Sequence, residues 1–255
     1  MPRANRHVQP GHTYHVTHRC HDREFLLRFA RDRQVYCGWL REGLQRFDVR
    51  LLTYCVTSNH VHLLVRSRDT AELAEFMHLV AGGMAQGYNA RKKRSGAYWA
   101  DRYHATMIEP GEHLWRCLRY IDLNMVRAGA VRHPSEWAWT GWLELMGQRK
   151  RNRLLAMDAV LEALDVDTVE AFHAQHRANV EDALARRQLE REPWWSSAVA
   201  VGSPAFTEQM AQQLRADYTR KHLECSEAGE GAWMLRETEP ATYGSKNGAK
   251  NRAIG

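Results

Sequence analysis

The sequence predicts an α+β fold: an antiparallel sheet of the split βαβ type with helices packed on it, plus a C-terminal, mainly helical appendage. Three observations predict it. Short runs of strand character recur at residues 12–20, 49–56, 60–65 and 103–109. Longer runs between them carry apolar residues at helical spacing. Beyond residues 133–142 the strand pattern disappears and only helical periodicity continues.

HTYHVTHRC, residues 12–20, alternates as a strand with Tyr14, Val16 and His18 on one face. From about Ala30 to Phe47, Val35, Leu40, Leu44 and Phe47 recur near helical spacing. VRLLTYCV, residues 49–56, is rich in β-branched and apolar side chains and reads as a central strand. A polar turn with Ser58 and Asn59 leads into HVHLLV, so these two runs form a β-hairpin. Asp69 is the N-cap of a helix carrying Leu73, Phe76, Met77, Val80 and Met84, which ends in the basic cluster RKKR at 91–94. YHATMIE, residues 103–109, is another strand; Pro110-Gly111 breaks the chain, and EHLWRCLRYIDLNMVRAG follows as a helix ending near Gly129. Strand, helix, strand, strand, helix, strand, helix is the order of the ferredoxin/RRM-like split βαβ arrangement. Residues 154–190 read as helical, and Ser203-Pro204 opens a last helix with Phe206, Met210 and Leu214 on one face. The expected organisation is a domain over residues 1–145, a helical appendage over 146–235, and a mobile basic tail over 236–255.

The chain has 255 residues, 44% of them hydrophobic, enough for a substantial core and against wholesale disorder. Its formal charge of +6 favours a polyanionic partner, nucleic acid first; the alternative is a merely soluble basic enzyme. The five cysteines are scattered with no C-x-x-C pair, which fits reduced thiols and argues against a disulfide framework or a zinc ribbon. No apolar run approaches a membrane span, and the basic amino end lacks an apolar segment behind it, so a cytoplasmic, nucleoid-associated protein with no membrane partner is expected.

The residues that raise a chemical question are His60 and His62. Residues two apart in a strand share a face, so both imidazoles point one way while Val61, Leu63 and Val65 point the other. Paired imidazoles on a sheet are a bidentate start for a divalent ion; they are equally able to pack, hydrogen-bonded to backbone. On the helix after Gly111, Tyr120 and Asn124 are four residues apart and share a face, with Arg116 one turn earlier and Arg127 nearby. An Asn124 amide oxygen beside the histidines would complete a metal site with the Tyr120 hydroxyl next to it; otherwise Tyr120 packs and Asn124 is a polar helix-end group.

YHVTHRC, TYCVTSNHVHLLV, YWADRYHATMIE and LRYIDLNMVRAGAV together resemble the HUH single-tyrosine transposase superfamily. Within it they are most similar to REP-associated tyrosine transposases, relatives of the insertion-sequence transposases that act on single-stranded DNA. The resemblance spans roughly residues 1–145. It implies that His60 and His62 hold Mg2+ or Mn2+, that Asn124 takes the third-ligand position and that Tyr120 is the nucleophile. It also implies a 5′-phosphotyrosine intermediate and a substrate of short, hairpin-forming repetitive palindromes. Thr57-Ser58 stands where the family often has Met-Pro, and Asn124-Met125 where it usually has Asn-Pro.

From the resemblance, a metal-dependent single-stranded DNA endonuclease and strand transferase, acting as a monomer or homodimer, is expected. The alternative is a non-catalytic DNA-binding protein that binds and regulates such palindromes. Expected DNA-binding residues are Arg3 and Arg6 on the amino-terminal arm, Arg19, Arg23, Arg102 and Arg116 around the site, and Arg91, Lys92, Lys93 and Arg94 in the basic cluster. Tyr98, Trp99 and Tyr103 are candidates for stacking on unpaired bases. No phosphate-binding G-x-x-x-x-G-K-[ST] loop is present, and none is needed, because a phosphotyrosine conserves the energy of the broken bond.

Overall fold

Alternation in strand β1 (Thr13–Arg19) puts Tyr14 and Val16 on one face and His15 on the other, and all three are buried. A strand buried on both faces takes a central place, and β1 lies between β3 (His60–Ser67) and β4 (His104–Ile108), antiparallel to each. β2 (Val49–Val56) pairs with β3 across the Thr57–Asn59 turn, which completes the expected split βαβ order β2-β3-β1-β4. The computed structural model describes residues 8–217 and 222–238. Arg3, Arg6 and the tail from residue 239 lie outside the described residues.

Helices α1 (Ala30–Arg46) and α2 (Thr70–Lys92) cover one face of the sheet. They approach closely where a glycine meets a ring: a Cβ on Gly43 would stand 2.7 Å from the Phe76 ring. Asp69 caps α2 as expected, its carboxylate accepting the Ala71 N–H at 2.7 Å. On the opposite face, Leu52, Leu64 and Ile108 pack against Leu114, Leu118 and Ile121 of α3 (Glu112–Asp122). The helix expected to run to Gly129 is interrupted at Leu123 and resumes as α4 (Asn124–Arg127). A short α5 (Trp142–Leu145) follows, then α6 (Met157–Leu164) and α7 (Val169–Ala185), separated at Asp165 by a left-handed residue with φ 53°.

The α+β class is as expected, and the appendage holds more helix than strand, but it also carries three strands that the sequence did not show. After α7 the chain adds β5 (Ala200–Gly202), α8 (Pro204–Asp217), β6 (His222–Gly229) and β7 (Ala232–Thr238). β5 pairs parallel to β4, and the sheet becomes seven-stranded in the order β2-β3-β1-β4-β5-β7-β6. Three residues are too few for a period of two to register, and the edge strand β6 is largely half-exposed, so neither carried an apolar signal. Residues 236–238 accordingly finish β7 instead of starting the tail. All five cysteines are free thiols. Among the described residues no helix is long and apolar enough to cross a membrane.

Candidate active site

The period of two that puts Val61, Leu63 and Val65 beneath α1 and α2 turns His60 and His62 toward the face that α3 covers. β1 brings a third imidazole. His15 lies opposite Leu64, one diagonal step from His62, and the two rings lie nearly parallel, at 14°, with centroids 5.0 Å apart. Across the gap, α3 supplies Tyr120 and α4 supplies Asn124. The Tyr120 ring meets both His62 and His15 edge-on, at 6.2 Å in each case. His60, His62, Tyr120 and Asn124 line one cleft of about 660 Å³.

A directed chain of hydrogen bonds orders the imidazoles. His15 Nδ1 lies 2.7 Å from the Trp195 carbonyl oxygen, which only accepts, so this nitrogen carries the proton. In a neutral ring His15 Nε2 must then accept, and it does so from His62 Nδ1–H at 2.8 Å. His62 Nε2 is left with its lone pair, facing the Asn124 amide nitrogen at 2.9 Å. His60 is held in the same sense: its Nδ1 is 2.7 Å from Asn59 Oδ1, which leaves Nε2 as the nitrogen available to a ligand.

Burial keeps these rings neutral. It pushes His15 down to about 3 and His60 down to about 4, and holds His62 well below its ordinary value, with nearby cations adding to the effect. Neutral imidazole is the ligating form. Burial also raises the Tyr120 phenol, against which the Arg127 guanidinium acts. That guanidinium lies 4.0 Å from the centre of the Tyr120 ring and donates to the Tyr120 carbonyl oxygen at 2.9 Å.

These donors fit a divalent ion. The His60 and His62 rings stand on one strand with centroids 4.8 Å apart and line the same cleft, and a half-turn of the Asn124 amide replaces its nitrogen by its oxygen beside His62. Among the described residues no group of three His, Cys, Asp or Glu side chains is placed to hold a metal, so the amide is needed. Such a set has no carboxylate, and a hard cation would complete its shell with water and substrate oxygens.

Arg19, Arg23 and Arg102 line the cleft, joined by Arg127 and by Arg191 from the appendage, against one acidic side chain, Asp101. The remaining expected DNA contacts stand elsewhere. Arg116 donates to the Glu230 carbonyl oxygen at 3.0 Å and pairs with Glu230 at 3.1 Å. Arg91 is ion-paired with buried Asp32, and Arg94 with Glu24 at 3.0 Å. Lys92 and Lys93 are exposed at the end of α2, outside the lining of the cleft. The stacking candidates are corrected: Tyr98 and Tyr103 are only 2% and 4% exposed, and Trp99 stacks on His18 at 4.0 Å. A bridge between Cys20 and Trp99 draws that segment onto the end of β1, where the rings become core.

His15, Arg191 and Trp195 were missed by sequence reasoning. The alternation that placed Tyr14 and Val16 together also places His15 on the histidine face, and was a usable signal. For Arg191 the only hint was a basic run ahead of Pro193. For the Trp195 carbonyl there was none.

The family described as Transposase IS200 like matches residues 8–124, from just ahead of β1 to Asn124. Residues 8–124 are thus similar to IS200-like transposases. The match to the transposase family takes in His15, His60, His62, Tyr120 and Asn124 and stops before the appendage. One solved structure, described as that of a REP-associated tyrosine transposase bound to a REP hairpin, aligns with 58% of this chain and 87% of its own at 16% identity and a TM-score of 0.49. No curated protein matches the chain.

Proposed function

We propose that this protein is an IS200-like transposase, a metal-dependent single-stranded DNA endonuclease and strand transferase acting in the cytoplasm at hairpin-forming palindromes. The observation that carries this reading is the meeting of Tyr120 with His62, edge-on at 6.2 Å across a cleft lined with arginines. His60 and His62 would hold Mg2+ or Mn2+ through Nε2 and Asn124 through its amide oxygen. A bound ion supplies Lewis-acid polarisation of a phosphate oxygen.

The chain's own residues do the rest. Arg19, Arg23 and Arg102 neutralise backbone phosphates and hold the strand in the cleft. The Tyr120 oxygen forms a bond to phosphorus as its proton is lost, and Arg127 favours the developing phenolate against the cost of burial. The bond from phosphorus to the 3′ oxygen breaks, its electron pair stays on that oxygen, and protonation gives a free 3′-hydroxyl. Tyr120 is left as a 5′-phosphotyrosine. Return of the hydroxyl reverses the step, so cleavage and joining need no nucleotide cofactor. The hairpin-forming substrate rests on the motif resemblance.

The test is to incubate the protein and Tyr120→Phe with labelled single-stranded hairpin DNA, with Mn2+ or with EDTA. A covalent adduct on a denaturing gel is expected only for the wild type with metal. A tight complex without adduct under every divalent ion would instead support the non-catalytic palindrome-binding reading.

A further inference from the structure

We infer that His15, held by the backbone carbonyl of Trp195, is a positioning residue that fixes His62 in its metal-ligating tautomer, and that the appendage is thereby part of the active site. This rests on the proposed metal site and goes beyond it. The family match ends at residue 124, so the carbonyl that starts the relay lies outside it.

The argument is one of proton direction. Each contact in the relay is between 2.7 and 2.9 Å, short enough that two lone pairs, or two hydrogens, cannot face each other. A carbonyl has no proton to give, so the direction is set at the Trp195 end. If His62 took the other tautomer, its Nδ1 lone pair would confront the His15 Nε2 lone pair; the Asn124 amide can turn end for end to suit either tautomer, so His15 makes the choice. Only one arrangement satisfies all three contacts, and it presents the His62 Nε2 lone pair to the cleft. A packing role for His15 requires none of this.

The carbonyl is itself firmly placed. The Trp195 ring is fully buried, and its indole N–H donates to Glu192 Oε2 at 2.9 Å. Three residues on, the Ala198 carbonyl accepts the Thr106 hydroxyl of β4 at 2.8 Å, and the Met107 N–H donates to the Val199 carbonyl at 2.9 Å. Segment 193–199 is thus bonded to the strand beside β1, and the site inherits its rigidity. Partners behind a metal-bound imidazole typically contribute a factor of about 10 to 100 in metal affinity.

The experiment compares Mn2+ affinity, by titration calorimetry and electron paramagnetic resonance, among the wild type, His15→Leu and His15→Gln. The glutamine amide has a donor for the Trp195 carbonyl and an acceptor for His62 Nδ1–H. Hairpin-DNA binding in EDTA serves as the check on folding. The expected result is that His15→Leu weakens Mn2+ binding roughly 10- to 100-fold, His15→Gln recovers most of it, and DNA binding in EDTA is unchanged. Nitrogen-15 spectra of the metal-free wild type should show the His62 proton on Nδ1. Leucine binding Mn2+ as tightly as histidine, glutamine failing as badly as leucine, or a His62 proton on Nε2 would each overturn the inference; the spectra decide it even if His15→Leu does not fold. If the wild type binds Mn2+ but forms no adduct, the nuclease reading fails while the ranking of variants still decides the role of His15. A wild type that binds no Mn2+ sinks both.

Discussion

Replacing His176 by leucine removes one end of a buried contact that ties α7 to the helix carrying the nucleophile. His176 Nε2 lies 2.8 Å from Asp122 Oδ2, and neither side chain is exposed. Asp122 stands midway between Tyr120 and Asn124 in sequence, so whatever holds it also holds the reactive face of the cleft. Its other oxygen, Oδ1, accepts the hydroxyls of Thr53 at 3.2 Å and Thr140 at 3.4 Å. Breaking a buried pair from one side costs about 3–5 kcal/mol; because Oδ1 keeps its hydroxyls, the lower end, about 3 kcal/mol, applies. A chain of 255 residues unfolds with an entropy of about 0.5 kcal/mol per degree, so Tm should fall by about 6 °C. Adding Asp122→Asn to the leucine variant removes the unpaired charge and should return part of that loss. Scanning calorimetry on the three proteins reads both effects. A drop under about 2 °C for His176→Leu, or a further drop on adding Asp122→Asn, would refute the idea of a buried carboxylate dependent on His176.

Acidification should destabilise the protein earlier than its carboxylates alone would. His15, His60 and His62 have folded-state pKa values below the ordinary 6.5, so the unfolded chain takes up their protons first and stability falls as pH drops from about 6.5 toward 3–4. Each such proton contributes about 1.4 kcal/mol per pH unit, and urea midpoints should be flat above pH 7.5 and decline steadily between pH 6.5 and 5; a flat profile across that window contradicts buried neutral rings. Gly43→Ala should cost about 1–3 kcal/mol, because its methyl would sit 2.7 Å from the Phe76 ring where α1 crosses α2. Gly38→Ala on the same helix, with open space around it, should leave the urea midpoint unchanged or raise it. Equal effects at the two glycines would mean that helix propensity, not close approach, governs both.

Sequence alone determined those parts of the site that follow from local periodicity. Two residues apart in a strand means one face, so His60 and His62 were a pair before any fold was known. Four apart on a helix means one face again, which joined Tyr120 to Asn124 although Leu123 interrupts the helix between them. The tertiary structure decided what lies behind and around those side chains. That His15 backs His62 depends on the register of β1 against β3, which pairs His15 with Leu64 and not with a neighbour. That Trp195 orients His15 depends on a main-chain oxygen, a group every residue carries, so no residue type marks it. Arg191 reaches the cleft, and Arg116 turns to Glu230, because the appendage adds strands to β4. Such long-range pairings are fixed by backbone hydrogen bonds between distant segments, and those bonds leave only a faint trace in the order of side chains.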